Sequence, residues 1–119
     1  MLRQIDSLYP SAMSREPALT LTREDTARSR SVHVGDQIQV RLEENPTSGY
    51  RWEPVIDPHV LREIDDRYAG GVDRRGEPGL RVKTFEAMAP ARTQLRLVER
   101  RSWEVTPSDE FVVHIDISP

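Results

Sequence analysis

With 119 residues and no cysteine, the chain has the length of one domain, and it excludes a disulfide framework, a thiolate zinc site and a cysteine nucleophile. Seventeen basic residues against 20 acidic ones leave a net charge of −3, which argues against nucleic-acid binding through bulk charge. No apolar run approaches the roughly 20 residues of a membrane span. The N-terminal stretch carries Asp6 and lacks the apolar centre of a signal peptide, so a cytoplasmic location and no membrane partner are expected.

In chain order, residues 1–16 have no pattern and read as a flexible arm, leaving 17–119 as the folded domain. Leu19 and Leu21 in "ALTLT" offer a first short strand. From Val32 the apolar residues fall on even positions (Val32, Val34, Ile38, Val40, Leu42), with Ser31, His33, Gln37, Gln39 and Arg41 between them. That alternation is the mark of a half-buried strand. Gly35-Asp36 interrupts it where a turn or bulge would bend the chain.

The stretch "ENPTSGYRWE" follows. Pro46 fixes φ and Gly49 accepts a left-handed backbone, so this is turn chemistry, but longer than the two residues a tight hairpin needs. Tyr50 and Trp52 then share one face of a strand, with Trp52 assigned to the core. "DPHVLREIDDRY" (57–68) is ambiguous: Val60, Leu61 and Ile64 fit a helical turn nearly as well as a strand. "AGGVDRRGEPGL" (69–80) reads as a long loop, either solvated or functional. It lacks the spacing of a phosphate loop. "LRVKTFEA" starts on Leu80 and Val82 and changes phase to Phe85 and Ala87, which suggests a bulge. Leu95 and Leu97 mark another strand. The last strand alternates cleanly, with Phe111, Val113, Ile115 and Ile117 on one face and Val112, His114 and Asp116 on the other. Six or seven short strands separated by Pro- and Gly-rich turns indicate an all-β antiparallel sandwich or barrel.

Little in the sequence supports catalysis. His33, His59 and His114 lack metal-ligand spacing, so neither a metal nor a cofactor is expected. Ser48-Gly49 lacks the strand–turn–helix elbow of a serine hydrolase. Neighbours on a strand point to opposite faces, so Glu43-Glu44 and Asp65-Asp66 make poor acid–base pairs and read as solvated. Trp103, at a strand end after Arg-Arg-Ser, suits a contact or a core position equally.

Three motifs in order give the chain a resemblance. "NPTSGYRW" follows the best early strand, the Gly-rich "RRGEPG" leads into "FEA", and "RRSWE" follows a later strand. This order resembles the chagasin family of cysteine-protease inhibitors, known for an N-P-T-[TS]-G-[YF]-x-W loop, a G-x-G-G-type loop and an R-P-W loop. The resemblance covers about Leu19 to Ile117. It implies an immunoglobulin-like antiparallel β-sandwich of about seven strands with three loops side by side at one end. Those loops would enter the active-site cleft of a papain-like cysteine protease and block it reversibly without being cut, so the chain would be a monomeric inhibitor and not an enzyme. Residue by residue, Asn45, Pro46, Thr47, Ser48, Gly49 and Tyr50 would form the central loop, with Thr47 and Ser48 at the catalytic cysteine and histidine of the target. Gly76, Glu77, Pro78 and Gly79 would form the second loop. Arg101, Ser102 and Trp103 would form the third, with Trp103 stacked on the enzyme. Ser102 stands where the family has Pro, Glu99 where it often has Tyr, and Glu77-Pro78 interrupts the glycine loop. A non-inhibitory binding module of the same fold is the alternative reading.

Overall fold

The computed structural model describes residues 16–70 and 79–119. The arm expected over 1–16, apart from Glu16, lies outside the described residues, as do Gly76, Glu77 and Pro78. Among the described residues there are eight strands: β1 (Leu19–Thr22), β2 (Ser29–His33), β3 (Gln37–Glu44), β4 (Arg51–Val55), β5 (Leu61–Ala69), β6 (Gly79–Ala87), β7 (Ala91–Arg100) and β8 (Asp109–Ser118). They form two four-stranded sheets, ordered β1-β3-β6-β5 and β2-β8-β7-β4. Both sheets are antiparallel except at one edge, where β1 runs parallel to β3 and β2 parallel to β8. The strand count and these parallel edges refine the expectation of about seven antiparallel strands.

The even-phase run from Val32 to Leu42 is not one strand. It breaks at Gly35, whose φ of +94° suits glycine, and the chain passes there from one sheet to the other. Asp36 holds the corner by accepting the His33 backbone N–H on Oδ2 at 2.8 Å. Because the side-chain phase survives the corner, Val32 and Ile38 both face the interior from opposite sheets.

Inward residues of the two sheets meet in one core. Leu21, Ile38, Val40, Leu42, Leu61, Phe85 and Ala87 come from the first sheet, and Trp52, Leu95, Leu97, Phe111, Val113, Ile115 and Ile117 lie among those of the second. Segment 57–68 divides between the two readings it allowed. Asp57 organises a turn by accepting from the backbone N–H groups of His59, Val60 and Leu61, and β5 starts directly after it. The bulge lies in β5, between Glu63 and Asp65, and β6 pairs with β3 without interruption. The phase change in β6 has another cause. Arg81 and Lys83 stand in register with inward-facing Leu42 and Val40, so the inner face turns from apolar to charged as it nears one end of the sandwich. Pro54 sits on edge strand β4, where a missing N–H is tolerated.

Candidate functional site

Strand register decides which loops share an end. Glu44 at the end of β3 pairs with Gly79 at the start of β6, Ala69 pairs with Leu80, Arg51 with Arg100, and Glu99 with Asp109. The connections 45–50, 70–78 and 101–108 therefore start and finish at one end of the sandwich. Two of them are described over their whole length.

The 45–50 loop is held from within. Asn45 accepts on Oδ1 from the Thr47 backbone N–H at 3.1 Å and from the Thr47 hydroxyl at 2.7 Å. Its carbonyl accepts from the Ser48 N–H at 3.1 Å and from the Ser48 hydroxyl at 2.7 Å. Ser48 Oγ in turn accepts the Tyr50 N–H at 3.3 Å. Pro46–Ser48 forms a single 3-10 turn, and Gly49 reverses the chain at φ +83°. Both hydroxyls thus spend their protons inside the loop, and what they offer outward is oxygen lone pairs. Thr47 is exposed and Ser48 half-buried. The bonds of the Ser48 hydroxyl stay within its own loop.

The 101–104 turn lies against this loop. Arg101 Nε donates to the Ser48 carbonyl at 3.3 Å, and its guanidinium stands 4.4 Å from the Tyr50 ring centroid and 5.7 Å from that of Trp103. A Cβ at Gly49 would sit in ordinary contact with the edge of the Trp103 indole, at 3.7 Å, so it is the backbone reversal that calls for glycine there. Glu104 closes the turn, its N–H donating to the Arg101 carbonyl at 3.0 Å and its Oε1 accepting the Arg101 N–H at 3.2 Å. With Pro absent at Ser102, these bonds supply order that a proline ring would otherwise give. Trp103 keeps 72% of its surface exposed, which resolves the open choice in favour of the surface, and Val105 beside it is almost fully exposed. Trp52, as expected, is core, at 4% exposure.

Of the second loop's expected residues, Gly79 is the described one. It is buried at the start of β6 and donates its N–H to the Tyr68 hydroxyl at 2.8 Å. A Cβ there would collide with that hydroxyl and with the Ala69 carbonyl. Gly79 therefore belongs to the base of the loop.

The sequence reading missed Glu44. Paired with Glu43 it looked solvated, yet it is 1% exposed. One oxygen accepts the Trp52 backbone N–H at 2.9 Å, and the other accepts both Nε and Nη2 of Arg81 at 3.0 and 2.8 Å. The bond to Glu44 is the main reason the Arg81 guanidinium holds its proton even more firmly than usual. The signal was present in the numbering, because Glu44 continues the even phase of Val40 and Leu42. Nearby, Glu99 lines a cleft with Arg23, Glu44, Trp52 and Asp109. Burial, then the negative charges of Asp109 and Glu44, push its carboxyl above the ordinary value of 4.5. Among the described residues no group of His, Cys, Asp and Glu is arranged to hold a metal ion. No helix among them is long and apolar enough to cross a membrane.

The fold recurs in solved structures. The cysteine protease inhibitor EhICP2 from Entamoeba histolytica aligns with a TM-score of 0.73 at 20% identity, over 86% of this chain and 99% of that one. PbICP-C, solved in complex with falcipain-2, aligns at 0.62 and 15% identity, over 85% of this chain and all of that one. Leishmania mexicana ICP aligns at 0.58 and 20% identity, over 93% and 97%. No curated protein sequence matches the chain. The family model described as "Chagasin family peptidase inhibitor I42" matches residues 31–115, which span the central loop, the third loop and most of both sheets. The chain therefore belongs to the chagasin family of cysteine-protease inhibitors, which are not enzymes but act on them.

Proposed function

We propose that the protein inhibits papain-like cysteine proteases reversibly, by seating three adjacent loops in the active-site cleft. The 45–50 loop is the central wedge, the 101–103 turn flanks it, and residues 76–79 are assigned to the remaining contact with the protease. The observation that carries this reading is the pairing of an internally bonded loop that exposes Thr47 with an exposed Trp103, joined through Arg101.

Stiffness is what such a wedge requires. A loop already fixed by its own hydrogen bonds loses little conformational entropy on binding. Thr47 and Ser48 then present lone pairs to donors in the cleft, where a protonated imidazole is a suitable partner. Tryptophan and arginine are the residue types most often dominant in binding energy, and Trp103 and Arg101 are both placed at the rim. The similar structure solved with falcipain-2 supports a protease as partner. The protein works as a monomer and needs no cofactor, because occlusion involves no chemistry of its own.

Titration of papain activity with the purified protein tests this. Wild type is expected to inhibit at or below ~1 μM, equivalent to about −8 kcal/mol. Thr47→Arg is expected to abolish inhibition with little change in Tm, since the exposed Thr47 side chain contributes one hydrogen bond to the fold. Absence of inhibition across papain and several relatives would overturn the reading in favour of a non-inhibitory binding module.

A further inference from the structure

We infer that Glu44 is a positioning residue for the inhibitory wedge: its buried carboxylate sets the register of the 45–50 loop and ties that loop's base to the base of the β5–β6 connection. This rests on the proposed function only for its consequence in inhibition, since the geometry stands by itself.

A carboxylate at this place needs explaining. The inner face of β3 runs Ile38, Val40, Leu42, Glu44, so an apolar residue would continue the core. Burying a charge costs far more than it returns unless every lone-pair direction is used. Here both oxygens are occupied, and the partners come from different sheets. Trp52 belongs to edge strand β4, and Glu44 accepts its N–H across the gap between the sheets. The Trp52 indole N–H returns the tie by donating to the Glu43 carbonyl at 2.9 Å. The two ends of the connection that carries residues 45–51 are thereby clamped by two crossed hydrogen bonds. Apolar packing is non-directional and would hold these ends together without fixing their relative height. A carboxylate bonded to a backbone N–H fixes it.

Arg81 carries the same constraint to the neighbouring connection. Its guanidinium gives two N–H groups to one oxygen of Glu44, also lies 3.4 Å from Asp66, and stands 5.7 Å from the Tyr68 ring centroid. Tyr68 in turn accepts the Gly79 N–H. From Trp52 through Glu44 to Arg81 by hydrogen bonds, then by the cation–π contact of Arg81 with Tyr68 and the bond of Tyr68 to Gly79, one chain of contacts links the feet of two connections. Glu44 touches nothing outside the fold, being 1% exposed, so any effect it has on inhibition acts through loop position.

The test compares Glu44→Gln with wild type in the full chain, by residue-resolved amide hydrogen exchange and by inhibition of papain. Glutamine keeps the size, but it must turn an NH2 group toward either the Trp52 N–H or the Arg81 fork. Exchange at Trp52, Thr47 and Ser48 is expected to quicken about tenfold or more, with Val113 and Ile115 within about twofold of wild type. The inhibition constant is expected to rise about tenfold, mainly through faster dissociation. Arg81→Lys, which keeps the charge and loses the fork, is expected to act in the same direction more weakly, and it carries the test if Glu44→Gln does not fold. The double variant is expected to do no more harm than Glu44→Gln alone, as for two members of one linkage. Uniform acceleration of exchange throughout both sheets would assign Glu44 to general stability and overturn the inference, and so would unchanged exchange at Trp52 and the loop. If wild type fails to inhibit papain, the proposed function fails, and the exchange pattern still decides the role of Glu44.

Discussion

The end of the molecule that carries the 45–50 and 101–108 loops has a base and a rim, and each has a tryptophan. At the base, Trp52 is 4% exposed, its indole N–H and backbone N–H are both bonded, and Arg23 stands 5.9 Å from the ring centroid. At the rim, Trp103 is 72% exposed, with the Arg101 guanidinium 5.7 Å from its ring centroid and Gly49 close to the edge of its indole. The same residue type serves opposite purposes at one end of one sandwich. The base converts burial and directional bonds into fixed geometry. The rim leaves apolar area uncovered, a large exposed ring beside nearly bare Val105, which is the kind of surface that partners cover.

The largest effect expected is on stability, from the base. Trp52→Ala removes a ring from the core and leaves the Glu43 carbonyl without its indole donor, which should cost about 3–5 kcal/mol in denaturant unfolding. A loss below ~1 kcal/mol would show that the ring is not a core element and would erase the contrast. The rim should behave in the reverse way. Trp103→Ala is expected to leave Tm near wild type and to weaken protease inhibition by about 2 kcal/mol, roughly 30-fold. An unchanged inhibition constant would remove Trp103 from the interface, and a large drop in Tm would place it in the fold.

How much of this was legible in the sequence follows from what each residue has to contrast with. The face of β8 was readable because Phe111, Val113, Ile115 and Ile117 alternate without exception and the opposite phase holds His114 and Asp116. The 45–50 loop was readable because its residue types have narrow uses: a Pro, two hydroxyls and a Gly at the end of a strand. The sheet crossing at Gly35 was not. A Gly-Asp pair looks the same in a hairpin, a bulge or a corner, and only long-range pairing decides. Arg81 and Lys83 looked like the polar phase of a strand whose apolar phase had shifted, when they are inward residues bonded to Glu44, Glu63 and Asp66. Such ion pairs lie 15–37 residues apart in sequence, and no local pattern encodes them. The bracing of the 45–50 loop by Arg101 was likewise invisible, because a motif can suggest that Arg101 belongs to a site without showing that it bonds the Ser48 carbonyl.

The smallest effect expected concerns the charge held between base and rim. Glu99 faces Asp109 and Glu44 as like charges, Arg23 as an opposing one, and the Ser108 hydroxyl as a bond donor. Its carboxyl is raised above the ordinary 4.5, chiefly by burial, so the folded state disfavours the ionised form. Above the folded-state pKa the native protein carries that penalty in full. As pH falls through the raised value the native state takes up a proton ahead of the unfolded chain, and below about 4.5 the penalty is gone. Glu99→Gln should therefore be more stable than wild type at pH 7, with the gap closing as pH falls through the folded-state pKa. Asp25 has the opposite bias, its carboxyl lowered first by the Thr22 backbone N–H, so its contribution is lost only on acidification below the ordinary 3.8. That loss is common to both proteins and cancels in their difference. Denaturant midpoints measured for the pair from pH 7 down to pH 4 would isolate Glu99. A gap that stays constant or widens on acidification would mean that the carboxylate is already paid for by Arg23 and Ser108, and that the cleft between base and rim is electrostatically neutral ground.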